Sequence, residues 1–210
     1  MYCYYASFCH GAEVLCFLFQ QLSPATLNQY QALLSQGPLN SAYQLLQLHF
    51  HWGGEDSRGS EHTIDGAEFP LELHLVHKRK DLNVSEALAT PDGLAVAGFF
   101  FEIDVGEHFF FKLINGHFYC LVYFQSYQAN DNAALKPLTD DLSQVVAKDS
   151  SVSVSRQFSI SELIGPLAFT RSHYSTYSGS LTTPTCNEVV FWINFLTPLK
   201  ISSDQMAEFR

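Results

Sequence analysis

Charge is the first thing this sequence is short of. Only 15% of its residues are Asp, Glu, Lys or Arg, and 11 bases stand against 21 acids, for a formal net charge of −10. That balance excludes a nucleic-acid partner, because gripping a phosphate backbone requires a basic face. No run of ~20 uninterrupted apolar residues occurs, so no membrane span is expected. Cysteine is present without order. Cys3, Cys9, Cys16, Cys120 and Cys186 follow no C-x-x-C spacing, and the odd count leaves any disulfide framework incomplete. The apolar start, MYCYYASFCHGAEVLCFLFQ, has no basic n-region, and His10 and Glu13 interrupt what an export signal would keep hydrophobic. Helical periodicity is weak, apart from short candidates near LTDDLSQVV and SSDQMAEF.

What remains is an apolar, β-patterned chain. With 210 residues and 47% apolar content it reads as one globular domain able to bury a sizeable core. AYQLLQLHFHW alternates, which assigns Tyr43, Leu45, Gln47, His49 and His51 to one strand face and Gln44, Leu46, Leu48, Phe50 and Trp52 to the other. EFPLELHLVH does the same, with Glu72, His74 and Val76 opposite Leu71, Leu73, Leu75 and His77. GLAVAGFFFEI and NEVVFWINFL suit strands buried on both sides. PDG at 91–93, SGS at 178–180 and TTPT at 182–185 supply turns. The expected class is mainly β.

Five of the nine histidines fall between residues 47 and 78. Two histidines at i and i+2 on a strand point to one side, roughly 6 to 7 Å apart by the ~3.3 Å rise per residue. Both can reach one ion, and a third from a neighbouring strand completes three protein ligands. Zinc held by three neutral nitrogens keeps a fourth position open for water, the arrangement of catalytic zinc. The competing reading is a chance H-x-H pair facing solvent. Gln47 and Glu72 weigh against it: each precedes a candidate ligand by two residues on the same face, where it can accept the ring's other N–H. Glu72 among leucines would otherwise be an expensive burial.

QLHFHWG, SEHTIDG, ELHLVH, PDGLAVAGFFFE and YSGSLTTPTCNEVVFWI resemble, in order and spacing, the signature blocks of the α-class carbonic anhydrases. The likeness covers roughly 34–104 and 129–210. It implies a large, twisted, mostly antiparallel sheet with a few short helices. It also implies zinc as cofactor, and reversible hydration of carbon dioxide to bicarbonate and a proton by a zinc-bound hydroxide.

Residue by residue, the resemblance implies His49, His51 and His74 as metal ligands and Gln47 and Glu72 as their outer partners. Thr182 would orient the hydroxide, and Glu61 would hold the threonine hydroxyl. His62 and Tyr177 match a buried polar network. Val76, Val96, Leu181, Val190 and Trp192 match the apolar wall beside the metal, and Thr183 matches a bicarbonate contact. The alternative is a silent relative that keeps the scaffold for zinc binding or interaction. Silent members typically lose a ligand histidine, and all three stand here with Thr182 and Glu61.

The departures are as specific. Residues 1–33 match nothing in the family, so no proton-shuttle histidine is assigned upstream of GPL at 37–39; His10 sits in no matching motif. The chain ends at AEFR, so the family domain at 34–210 is expected to be incomplete at both ends. An insert at about 104–128 replaces a short connection. It and the N-terminal segment run through Cys, Phe, Leu and Tyr and end in Phe-Gln, at CFLFQ and VYFQ. Both are read as translated intron, with a lineage-specific loop as the alternative. Cys186 stands where secreted members place half of a disulfide, and Asn83 opens a glycosylation triplet, NVS. Together they favour extracellular or secretory ancestry.

Overall fold

The computed structural model describes residues 2–4, 17–21, 33–35, 37–105, 108–114, 117–123, 130–146, 152, 158–165 and 173–210. Cys9, His10 and Cys16 lie outside them, as do 106–107, 115–116 and 124–129, where part of the expected insert at about 104–128 falls.

The described strands are β1 (Tyr2–Tyr4), β2 (Phe17–Gln21), β3 (Leu33–Leu34), β4 (Tyr43–Trp52), β5 (Leu71–Arg79), β6 (Leu94–Ile103), β7 (His108–Ile114), β8 (His117–Tyr123), β9 (Tyr174–Gly179) and β10 (Val190–Ile201). The helices are short: α1 (Val84–Ala87), α2 (Lys136–Thr139), α3 (Ile160–Leu163) and α4 (Ser203–Phe209), with a 3-10 turn at Leu142–Gln144. Eight strands form one sheet in the order β1-β2-β4-β5-β6-β10-β9, with β3 also paired to β4. Within it β6 and β10 run parallel, and the other pairs are antiparallel. β7 and β8 pair with each other as a separate antiparallel two-stranded sheet.

One face of the sheet carries the main core. Leu48, Phe50 and Trp52 of β4, Leu71, Leu73 and Leu75 of β5, and Ala97, Phe99 and Phe101 of β6 are all buried there. α4 closes over them. Ser202 and Gln205 form its capping box, which satisfies the helix's first N–H groups. The cap points Met206 and Phe209 inward, and Phe209 meets Phe50 at 5.5 Å and Trp52 at 5.4 Å.

The alternation in β4 holds only from Gln47 onward. Leu45 pairs with His77 and Gln47 with Val76, so two steps along β4 match one along β5. This bulge reverses the side-chain parity. Leu45, expected on the histidine face, joins the leucine core instead. Beyond the bulge the expected faces stand.

Register then aligns the opposite face in rows. His49 pairs with His74, His74 with Gly98 and Gly98 with Asn194. In the next row Gln47 meets Val76, Val76 meets Val96, Val96 meets Trp192 and Trp192 meets Tyr177.

Candidate metal centre

Three imidazoles meet at the centre of that face. His49, His51 and His74 are 7%, 0% and 1% exposed. His49 Nε2 lies 3.2 Å from His74 Nδ1, and His51 Nε2 lies 3.1 Å from the same Nδ1. The three donor atoms sit within 4.8 Å of one another, close enough to share one ion.

The outer nitrogens decide what faces inward. Glu72, buried at 0% exposure, takes His74 Nε2–H on Oε1 at 2.6 Å. Gln47 Oε1 takes His49 Nδ1–H at 2.9 Å. With those protons placed outward, His49 Nε2 and His74 Nδ1 present lone pairs to each other across 3.2 Å. Two lone pairs at that distance repel unless a cation lies between them. Burial pushes His49 and His51 well below the usual histidine range. Both are therefore neutral, the form that ligates metal. The donor set fits zinc with one position left open.

Glu72 is held from four sides. Its Oε2 accepts the backbone N–H of Glu61 at 2.8 Å and of His62 at 2.9 Å, and His62 Nδ1 donates to Oε1 at 2.6 Å. Burial alone would raise its pKa; the His74 and His62 imidazoles and the hydrogen bonds they donate outweigh that and hold it well below the carboxylate range. His62 shows the converse. Burial would lower it, but the hydrogen bond and charge of Glu72 raise it. His62 Nε2 reaches the Tyr177 hydroxyl at 2.6 Å. Burial, then the charges of Glu72 and Glu61, push the Tyr177 pKa up, so that hydroxyl keeps its proton.

This network is less buried than the sequence suggested. The His62 side chain is 16% exposed and Tyr177 is 43% exposed. Tyr177 lies on β9, the outermost strand of the described sheet, which covers it on one side only.

The remaining expected residues surround a small cavity of about 50 Å³, lined by Gln47, His49, His74, Val76, Val96, Leu181, Thr182, Thr183 and Trp192. Val190 does not line it but packs behind, with Val76, Val96 and Trp192. Thr182 and Glu61 are joined by a side-chain hydrogen bond, and burial raises the Glu61 pKa. Glu61 Oε2 is 3.3 Å from His51 Nε2. The turn holding Thr182 is pinned at its base: Leu181 N–H donates to Asn187 O at 2.9 Å, and Asn187 Nδ2 donates to Leu88 O at 2.6 Å. His77 stays on the leucine face, as expected, donating Nδ1–H to Leu75 O at 2.9 Å.

Gly98 and Asn194 belong to the site's architecture and were missed in the sequence. A Cβ on Gly98 would lie 2.5 Å from Asn194 Oδ1, so the Asn194 side chain has its room because this residue has no side chain, and Glu72 Oε1 lies just beyond at 3.4 Å. A glycine inside an apolar strand was the available signal.

A β-sheet that gathers three imidazoles beside a small apolar cavity defines a class: proteins whose side chains could hold one metal ion. A family model described as eukaryotic-type carbonic anhydrase matches residues 20–210, and the chain belongs to that family. It is 41% identical over 184 residues to carbonic anhydrase 7 of Mus musculus, covering 86% of this chain and 58% of that protein. With carbonic anhydrase 1 of Oryctolagus cuniculus it shares 38% over 182 residues, 86% of this chain and 65% of the relative. Carbonic anhydrase 3 of Rattus norvegicus is 35% identical over 181 residues, with 86% and 58% covered. The chain thus spans about three fifths of the length of the curated relatives it matches.

Proposed function

We propose that the chain binds zinc through His49, His51 and His74 and serves the reversible hydration of carbon dioxide to bicarbonate and a proton. One observation carries this reading: the outward placement of the His49 and His74 protons leaves two lone pairs facing each other at 3.2 Å, beneath an apolar cavity. Zinc, when bound, would lower the pKa of a water to about 7 and so supply the nucleophile.

The protein's own groups do the rest. Glu72 and Gln47 fix ring orientation and tautomer, the task of outer partners in metal sites. Thr182 gives its hydroxyl proton to Glu61, which leaves the threonine oxygen as an acceptor toward the cavity. It can then orient the nucleophile through that hydroxyl without touching the metal. Val76, Val96, Leu181 and Trp192, backed by Val190, offer apolar contact to a small neutral substrate. Thr183 supplies a hydroxyl for the charged product. No charged clamp is needed for such a substrate.

Metal analysis tests the ligand set. The purified chain should hold zinc stoichiometrically, His74→Ala should lose it, and His77→Gln should retain it. Full zinc in His74→Ala would sink the assignment. Thr182→Ala should slow hydration by about a hundredfold per bound zinc, the scale of a misaligned reacting group, while zinc content stays unchanged.

A further inference from the structure

The sequence holds one Asn-X-Ser/Thr triplet, Asn83-Val84-Ser85. Each of the other asparagines is followed two positions on by a residue other than Ser or Thr. The metal-site reading makes no use of this triplet.

Structure places it at the start of α1, with Asn83, Val84 and Ser85 all exposed, Val84 to 44%. Asn83 is extended, at φ −78° and ψ 173°, and caps the helix. Its Oδ1 accepts from Glu86 N–H at 2.9 Å, and its backbone N–H donates to Glu86 Oε2 at 2.8 Å. Capping thus occupies the carbonyl oxygen and the main-chain nitrogen. Nothing among the described residues engages Nδ2. An amide joined to a sugar through nitrogen keeps its carbonyl oxygen, so the cap survives the modification. Ala87, fully buried, anchors the underside of the turn and leaves the acceptor side to solvent.

A second observation is independent of the triplet. Cys186 is disulfide-bonded. Disulfides persist in oxidising compartments and are rare in the reducing cytosol. Transfer of oligosaccharide to Asn-X-Ser/Thr belongs to secreted proteins, on surface segments of this kind.

We propose that Asn83 is an N-linked glycan acceptor, modified while the chain passes through an oxidising secretory compartment. The donor class is an oligosaccharide on a polyprenyl pyrophosphate. A bond forms between sugar C1 and Asn83 Nδ2, the C1–O bond to pyrophosphate breaks, and the carrier leaves with the electron pair. Nδ2 gives up one proton, and nothing is oxidised or reduced.

Protein isolated from the tissue that makes it provides the test. Trypsin sites at Lys80 and Lys112 bracket the acceptor. Peptide-N-glycosidase acting in heavy-oxygen water should convert Asn83 in that peptide to labelled aspartate. Recovery of the peptide at its unmodified mass, with or without the enzyme, overturns the proposal. In cultured cells, the full chain behind an added export signal should show an enzyme-sensitive mass shift. Asn83→Asp, which keeps a capping oxygen, should lose the shift, as should Ser85→Ala, whereas Ser85→Thr should keep it. A shift that persists in Asn83→Asp also overturns it. Zinc content of Asn83→Asp should match the unsubstituted chain, which separates failure here from failure of the metal reading.

Discussion

His74 and His77 are three residues apart on one strand, both nearly inaccessible, and they do opposite things. His74 faces Glu72 on one side and two imidazoles on the other, so both its nitrogens have electrostatic work. His77 faces leucines and finds only backbone carbonyls, and burial drops its pKa to about 4. Residue type is therefore a poor guide to role in this sheet. Face and partner decide it: Glu72, two residues away on the same face, engages His74, and the leucine face leaves His77 an uncharged core residue.

Three substitutions sharpen that contrast. The largest effect is expected on the partnered face. Glu72→Ala would strip four donors of a fully buried acceptor, and breaking a buried charged cluster costs about 3–5 kcal/mol. Urea unfolding of the metal-free protein measures it. A loss under about 1 kcal/mol would mean the cluster is worth no more than a surface ion pair.

On the leucine face the expected effect depends on pH. His77 has a folded pKa of about 4 against the ordinary histidine value of 6.5. Between those values the unfolded chain binds the proton and the folded chain does not, so stability falls as pH falls. The contribution is complete above pH 6.5 and drains away down to pH 4. It amounts to about 3 kcal/mol at 1.36 kcal/mol per unit. Unfolding free energies across that window should fall less steeply in His77→Gln. Equal slopes would show that His77 is not the group taking up the proton.

The smallest effect is a gain. Asn194 is 4% exposed, and its Oδ1 has no hydrogen-bond partner among the described residues. An orphaned buried acceptor costs about 1–3 kcal/mol. Asn194→Val should therefore stabilise the fold by about 1 to 2 kcal/mol in the same urea assay. A destabilised variant would show that the amide has a structural partner.

The strand faces, the three imidazoles and their two outer partners were legible because period-two patterning is local. Gln47 and His49, like Glu72 and His74, sit two residues apart on one strand, so no knowledge of topology was needed. Leu45 was misplaced because the bulge arises from pairing with β5, and nothing inside AYQLLQL announces it. Exposure of Tyr177 was illegible for a similar reason: it depends on which strand ends the sheet. Gly98 was legible in principle, but only a neighbour's reach explains it, and that neighbour, Asn194, is 96 positions away in sequence. Register carried what the pattern could not.

The bulge between Leu45 and Gln47 has a genetic consequence. It puts the two halves of β4 out of phase, so one codon separates an imidazole floor from a leucine floor. Deleting a single residue there would either turn His49 and His51 into the core or drive Leu45 out of it. Selection on the imidazole face should therefore be visible as an intolerance of in-frame single-residue indels at the bulge, a place that contributes no side chain to the cluster of three imidazoles.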